Sequence, residues 1–279
     1  MDRRETLQGT PFAKMTGSGN DFVFFDGRVV PLERVTSPHA IASICNRCNG
    51  IGADGVVVLE PARPDADVRI HYFNSDGTPA DLCGNATLCS TAMSALLGLA
   101  SESGMTLTTP AGLIASRLVA GFPEIDLPPV STIHREMPID IEADEQRIGF
   151  VVAGIPHLVI LCADAEQVEV EGRGPALRRH AASGPAGANV NWVSPMPGGQ
   201  WRYRTFERGV EGETLACGTG AVATAVLLTA WGLVAAPTIV IRTSSGRDLE
   251  VQLSASGAGY LPTLRGEGRV IFRGVIASI

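Results

Sequence analysis

Two cysteines far apart in the chain stand in the same local setting. Cys83-Gly84-Asn85 opens an apolar run, Ala86 to Leu97, that closes on Gly98-Leu99, and Cys217-Gly218-Thr219 opens another, Gly220 to Trp231, that closes on Gly232-Leu233. The offset is 217 − 83 = 134 at the cysteine and 232 − 98 = 134 at the closing glycine. A free thiol ionises near a pKa of about 8.5, lower at a helix N-terminus, so it serves as thiolate base or thiol acid close to neutral pH. Inverting an α-carbon needs a base on one face and an acid on the other, because a single group tends to return the proton where it came from. Cys83 and Cys217 are the candidate pair. The amide N–H groups of Gly84, Asn85, Gly218 and Thr219 would form two helix-end anion sites, able to hold a carboxylate and the charge that grows as the proton leaves. Glycine after each cysteine lets the backbone approach a ligand closely. Without a cofactor, most of the rate must come from preorganised donors in a site closed to water. Either cysteine alone reads equally as a small thiol packed at a helix start; duplication in a matched context favours chemistry.

The elements that must position these thiols repeat as well. Both apolar runs are hydrophobic nearly all round, which predicts two helices buried on every side, each stopped by its glycine. Phe73-Asn74-Ser75-Asp76-Gly77 precedes Cys83 much as Phe206-Glu207-Arg208-Gly209 precedes Cys217, and Gly19-Asn20-Asp21-Phe22-Val23 is similar to Gly154-Ile155-Pro156-His157-Leu158-Val159. The pattern predicts an α+β chain of two pseudo-symmetric halves, each a curled mixed sheet around one central helix. The N-terminal half is placed at 10–125, completed by a C-terminal strand at about 267–279, and the second at 126–266, with Pro123 to Pro129 as the hinge. Strands are expected at 22–26, 56–59, 69–73, 149–152, 158–162, 201–206 and 238–242. Such a duplication would bring Cys83 and Cys217 to one cleft from opposite sides.

Composition narrows the alternatives. With 45% hydrophobic and 18% charged residues the chain is not disordered, and a net charge of −7 gives no footprint for nucleic acid or an anionic membrane. The first residues, Met1-Asp2-Arg3-Arg4-Glu5, do not read as a secretory signal. The longest apolar run, Ala221 to Ala236, is interrupted by Thr224, Thr229 and Gly232 and reads as a buried helix, not a membrane span. A soluble, cytoplasmic protein is expected. Six cysteines in a chain of this length are no disulfide framework, so reduced thiols are the default. Cys45-Asn46-Arg47-Cys48 has the spacing of half a zinc site without the other half; buried or incidental thiols are the competing reading.

Taken together, the motifs resemble the diaminopimelate epimerase family from about Phe12 to Phe272. The stretches that carry the resemblance are Phe12-Ala13-Lys14-Met15-Thr16-Gly17-Ser18-Gly19-Asn20-Asp21-Phe22, Gly50-Ile51-Gly52-Ala53-Asp54-Gly55, Phe73-Asn74-Ser75-Asp76-Gly77, Cys83-Gly84-Asn85, Pro156-His157, and the long run from Glu207 to Gly220. The resemblance implies two similar domains around a cleft, no pyridoxal phosphate or metal, a homodimer, and interconversion of LL- and meso-diaminopimelate for lysine and peptidoglycan synthesis. It implies Cys83 and Cys217 as the acid–base pair, and Asn20 with the two helix ends as holders of the reacting amino-acid end. Asn74, Asn189, Glu207 and Arg208 would contact the distal end, with Arg208 taking a carboxylate through paired hydrogen bonds and Glu207 an ammonium. His157 is either a residue of the cleft or a structural hydrogen-bonder. Bland alternatives stand beside the others: a surface ion pair for Glu207 and Arg208, turn residues for Asn20 and Asn74, and a loop position for Asn189.

The chain departs from the family pattern in three places. Ile155 stands where the family usually has asparagine before Pro-His, and Ala86 and Leu88 stand where it usually has glycine and arginine. The proton-transfer set is complete while the distal set lacks a polar group. A racemase of another amino acid, such as histidine, with the same two-cysteine chemistry therefore stays open, as does a thiol redox protein.

Overall fold

The computed structural model describes residues 7–62, 64–80, 82–142 and 144–279. The reading of Met1 to Thr6 lies outside the described residues. The chain divides into two compact units, Met1–Ile125 with Gly266–Ile279, and Asp126–Arg265.

The first unit carries strands β1 (Pro11–Gly17), β2 (Asn20–Asp26), β3 (Gly55–Pro61), β4 (Val68–Asn74), β5 (Met105–Thr109), β6 (Gly112–Val119) and β7 (Phe122–Asp126), with helices α1 (Leu32–Val35), α2 (Pro38–Cys45) and α3 (Gly84–Leu96). The second carries β8 (Ile133–His134), β9 (Glu145–Ala153), β10 (Ile155–Cys162), β11 (Asn189–Pro195), β12 (Trp201–Glu207), β13 (Gly212–Thr214), β14 (Thr238–Arg242), β15 (Asp248–Ser256) and β16 (Gly259–Arg265), with α4 (Val170–Arg178) and α5 (Gly218–Ala230). The last strand, β17 (Arg269–Val275), pairs antiparallel with β1 and so returns to the first unit. This is a sheet-dominated α+β fold, and all seven expected strands fall inside observed ones. The expected hinge is in part regular structure: Pro123 to Asp126 belong to β7, paired with β6.

The duplication is visible in the strand senses. In the first unit the order β17-β1-β2-β3-β4-β5-β6-β7 runs antiparallel, antiparallel, parallel, antiparallel, parallel, antiparallel, antiparallel. In the second, β8-β9-β10-β11-β12-β14-β15-β16 shows the same succession. The parallel pairs β2–β3 and β10–β11 are covered on both faces, which is why β2 and β3 hold continuous apolar runs; β10 and β11 are as deeply buried but carry His157, Asn189 and Asn191 among their apolar residues. On one face Val23, Phe25, Val56 and Val58 pack with Ile41 and Ile44 of α2. In the second unit Leu158, Ile160, Val190 and Trp192 pack with Val170 and Leu177 of α4.

α3 packs against β1, β2, β3, β4, β6 and β17, and α5 against β9, β10, β11, β15 and β16. α5 is mostly aliphatic, with Thr224 and Thr229 bonded back to the Gly220 and Ala225 carbonyls. α3 buries Thr87, Ser90 and Thr91, and it does so by turning their hydroxyls back onto the carbonyls of Cys83, Ala86 and Thr87 at 2.8, 2.7 and 3.0 Å. The helices are 13 residues each and offset by 218 − 84 = 134 and 230 − 96 = 134. Both end in the same motif. Gly98 (φ 65°) donates to Ala95 and Leu99 to Ser94; Gly232 (φ 74°) donates to Thr229 and Leu233 to Leu228. No helix among the described residues is long and apolar enough to cross a membrane.

Candidate active site

Each cysteine is the N-cap of its helix, with extended backbone at φ −130°, ψ 117° for Cys83 and φ −130°, ψ 111° for Cys217. In neither case does the cap side chain bond the first-turn N–H groups, which leaves those donors directed out of the helix end. Asn20 and Asn85 meet at the first of these ends and Asn189 and Thr219 at the second, each set within its own unit, while Asn74 bonds within its own turn.

In the first unit Asn85 Nδ2 donates to Asn20 Oδ1 at 2.6 Å, and Asn20 Nδ2 donates to Asp54 Oδ2 at 3.0 Å. Asn20 is thus bound to the first turn of α3, and its amide orientation is set from behind. Asp54 and Asp21 exchange backbone and carboxylate bonds, and Arg47 bridges both carboxylates at 2.7 and 2.8 Å. Lys14, almost fully buried, closes the cluster on Asp21 at 2.7 Å. Burial alone would raise the Asp21 carboxyl, but Arg47 and Lys14, hydrogen-bonded to it, hold it below its usual range. The approach of β1 to α3 requires glycine, because a Cβ at Gly17 would lie 2.9 Å from Cys89 Sγ. Cys89 is inert packing: burial raises its thiol far above the ordinary value. Asn74 ends β4 and spends its amide on Thr78 Oγ1 at 3.1 Å, within a tight turn. Of the Cys45–Cys48 pair, Cys45 is buried and pushed up to about 12 by desolvation, and Cys48 is exposed.

In the second unit Asn189 Nδ2 lies 3.8 Å from Cys217 Sγ while its Oδ1 accepts from the Arg208 N–H at 2.9 Å. Thr219 Oγ1 stands 3.5 Å from the same sulfur. Glu207 is oriented by a short hydrogen bond from Thr214 Oγ1 to its Oε1. His157 lies in register with Asn189 across the parallel β10–β11 pair. It is fully buried, and desolvation, then the nearby Arg208 charge, lower its pKa to about 3.

Three residues here were missed from the sequence. Tyr203 Oη accepts from the Cys217 N–H at 2.5 Å and donates to the Cys217 carbonyl at 2.8 Å, clamping the backbone of the thiol-bearing residue. Asn191 and Thr205 form a hydrogen-bonded pair at 3.0 Å beneath the first turn of α5. Strand alternation was the available signal: Asn191 is two residues past Asn189, and Thr205 is its register partner on β12.

Two expected results follow from this packing. A Cβ at Gly220 would meet Asn191 Oδ1 at 2.4 Å. Gly220→Ala therefore lowers stability by about 1–3 kcal/mol through overpacking, against the usual gain of glycine-to-alanine in a helix, and chemical denaturation measures it. His157 also makes stability depend on pH. Its folded pKa lies below its ordinary 6.5, so the unfolded chain binds a proton that the folded chain refuses. Its contribution is full above about 6.5 and is lost as pH falls towards 3. Melting curves of the chain and of His157→Gln should diverge over that window, with the histidine form losing more.

Solved structures show the same architecture. A phenazine biosynthesis protein of the PhzF family from Bacillus anthracis matches with a TM-score of 0.74 at 12% identity, covering 96% of this chain and 98% of that one. A hydroxyproline epimerase from Agrobacterium vitis matches with a TM-score of 0.68 at 20% identity, covering 99% and 94%. The fold is thus the one shared by PhzF-type and proline-racemase-like proteins. Sequence similarity is narrower. The diaminopimelate epimerase profile matches residues 12–125 and 149–263. The diaminopimelate epimerase of Gemmatimonas aurantiaca is 68% identical over 276 residues, 96% of this chain and 99% of that protein. That of Aquifex aeolicus is 35% identical, covering 87% and 90%. The chain belongs to the diaminopimelate epimerase family.

Proposed function

We propose that this isomerase interconverts LL- and meso-diaminopimelate by two-base proton transfer, with Cys83 and Cys217 as the acid–base pair and no cofactor. The observation that carries the mechanism is the duplicated N-cap: two thiols with matched backbone geometry, each at the open end of a buried 13-residue helix. The first-turn amides of α3 and α5 and the clamped Asn20 hold the reacting carboxylate and amine. Arg208 and Glu207, with Asn189 and Asn74, take the distal carboxylate and ammonium. In each direction one thiolate removes the α-proton while the other thiol returns a proton to the opposite face, so the two exchange protonation states per turnover. We place the enzyme in the cytoplasm as a homodimer without nucleic-acid or membrane partners. The net charge of −7 supports this, as does exposed apolar surface at Ile271 and Val275 on β17.

A second reading, a racemase of another amino acid, is favoured by Ile155. A Cβ at Gly154 would lie 3.9 Å from Thr219 Cγ2, so the β9–β10 turn that leads into Ile155 runs beside the start of α5. Ile155→Asn restores a polar group there. On the diaminopimelate reading it lowers KM by up to about tenfold, the worth of one hydrogen bond; an unchanged or raised KM would show that Ile155 does not face the substrate.

α-Hydrogen exchange in D₂O, followed by NMR on reduced protein, tests the function. LL-diaminopimelate is run beside single amino acids, histidine included. Exchange with epimerisation of diaminopimelate alone supports the reading. Exchange on another amino acid only transfers the mechanism to the second reading, and no exchange on any substrate overturns both.

A further inference from the structure

The amide of Asn191 has one permitted orientation. Its Nδ2 donates to the Leu158 carbonyl at 2.9 Å, an acceptor only, and its Oδ1 accepts from Thr205 Oγ1 at 3.0 Å. The same Nδ2 stands 3.3 Å from His157 Nδ1. Two N–H donors do not face each other at that distance, so Nδ1 must present its lone pair and the imidazole proton must reside on Nε2. That Nε2 is buried and meets no hydrogen-bond partner among the described residues. Buried N–H groups are nearly always satisfied, and the exceptions collect where a ligand completes them. The network is also tied to the catalytic helix, because Asn191 Oδ1 fills the space above Gly220, three residues after Cys217.

We propose that Asn191 and Thr205 are positioning residues that fix His157 as the Nε2–H tautomer, so that His157 serves as a hydrogen-bond donor to a substrate carboxylate and not as a general base. With Nδ1 occupied by Asn191 and Nε2 protonated, the ring has no lone pair left to take a proton. Its low pKa agrees: an imidazole held neutral by burial beside Arg208 donates without adding a charge. Arg208 and His157 then offer the same carboxylate a cation and a neutral donor. The donor role rests on the epimerase reading above; the tautomer does not.

Nitrogen-15 NMR of the full chain labelled at its 5 histidines reads the tautomer directly. The His157 resonances are identified by their loss in His157→Gln. The expected result is a bare Nδ1 and a protonated Nε2; a protonated Nδ1 or an imidazolium overturns the proposal. Asn191→Asp places an acceptor against Nδ1 and moves the proton there, with kcat/KM falling about 100-fold as an aligned donor is lost. Thr205→Val, nearly isosteric, keeps the fold and shifts the tautomer partway, with a smaller fall. Glutamine retains an N–H donor, so His157→Gln keeps at least about tenfold more activity than His157→Leu, a hydrogen bond's worth; equal loss in both overturns the donor role. The spectra need no substrate, so a chain without epimerase activity would sink the functional reading and still decide the tautomer.

Discussion

Replacing either Cys83 or Cys217 by alanine lowers the rate of epimerisation by about a thousandfold, in the range that positioned acid–base groups contribute. Both thiols are required in every turnover, one as base and the other as acid. The double variant is therefore expected to fall little further than either single one, because groups acting as a unit are not additive. Serine keeps the shape and the hydrogen bonds that Thr219 and Asn189 offer at position 217, but its hydroxyl does not ionise near neutral pH, so Cys217→Ser is nearly as inactive as alanine. Folding is not the cause of the loss. The N-cap geometry at 217 is held through the backbone by Tyr203, and circular dichroism and melting temperature should change little on removing the sulfur. The decisive readout is inversion at the α-carbon with the thiols kept reduced. A single alanine variant retaining more than about a tenth of the activity would remove that cysteine from the acid–base pair.

Why these two cysteines were legible in the sequence, and their supports were not, has a physical basis. A helix buried on every side leaves a run of apolar residues that no surface helix shows, and the Schellman ends at Gly98 and Gly232 mark the stops by residue type. Central strands such as β3 and β10 are buried on both faces and announce themselves as continuous β-branched runs. Edge strands carry no such mark. β17 reads exposed over most of its length, and the inner strands β6 and β15 also alternate weakly because one face is half solvated. α2 and α4 escaped because they are short, and α4 carries Gly172, Gly174 and Pro175, which sequence propensity reads as loop. The supports of the site were hidden for a different reason. Asp54 and Arg47 on the α2–β3 loop and Lys14 on β1 act on Asn20 from separate parts of the chain, and Tyr203 acts on Cys217 through backbone atoms. Non-local contacts of that kind leave no periodicity, and only the strand register brings Thr205 opposite Asn191.

Arg208→Leu is expected to lower kcat/KM for diaminopimelate by about two orders of magnitude, mostly through KM, because it leaves a substrate carboxylate desolvated without its cation. The assignment follows from how this chain treats its other half-buried arginines. Arg117, Arg173, Arg178, Arg202, Arg204, Arg242 and Arg265 each have a carboxylate partner within the protein, and Arg34 is bound to the Gln8 carbonyl. Arg208 is half-buried as well, and among the described residues no carboxylate pairs with it. A guanidinium that is partly desolvated and not paired costs stability, and the cost is recovered when an anion with two oxygens arrives. Its neighbours are arranged accordingly. Asn189 fixes the Arg208 backbone, His157 is held uncharged beside it, and Glu207 is turned onto Thr214. Lysine at 208 keeps the charge and loses the paired geometry, so Arg208→Lys should recover only part of the affinity. The prediction also separates the two functional readings. A substrate with a second carboxylate suffers in Arg208→Leu and Arg208→Lys in that order, whereas an amino acid with a single carboxylate, held at the helix ends, is nearly indifferent to both. Steady-state kinetics on diaminopimelate and α-proton exchange on single amino acids, compared across the two variants, decide whether Arg208 reads the distal end or only stabilises the fold.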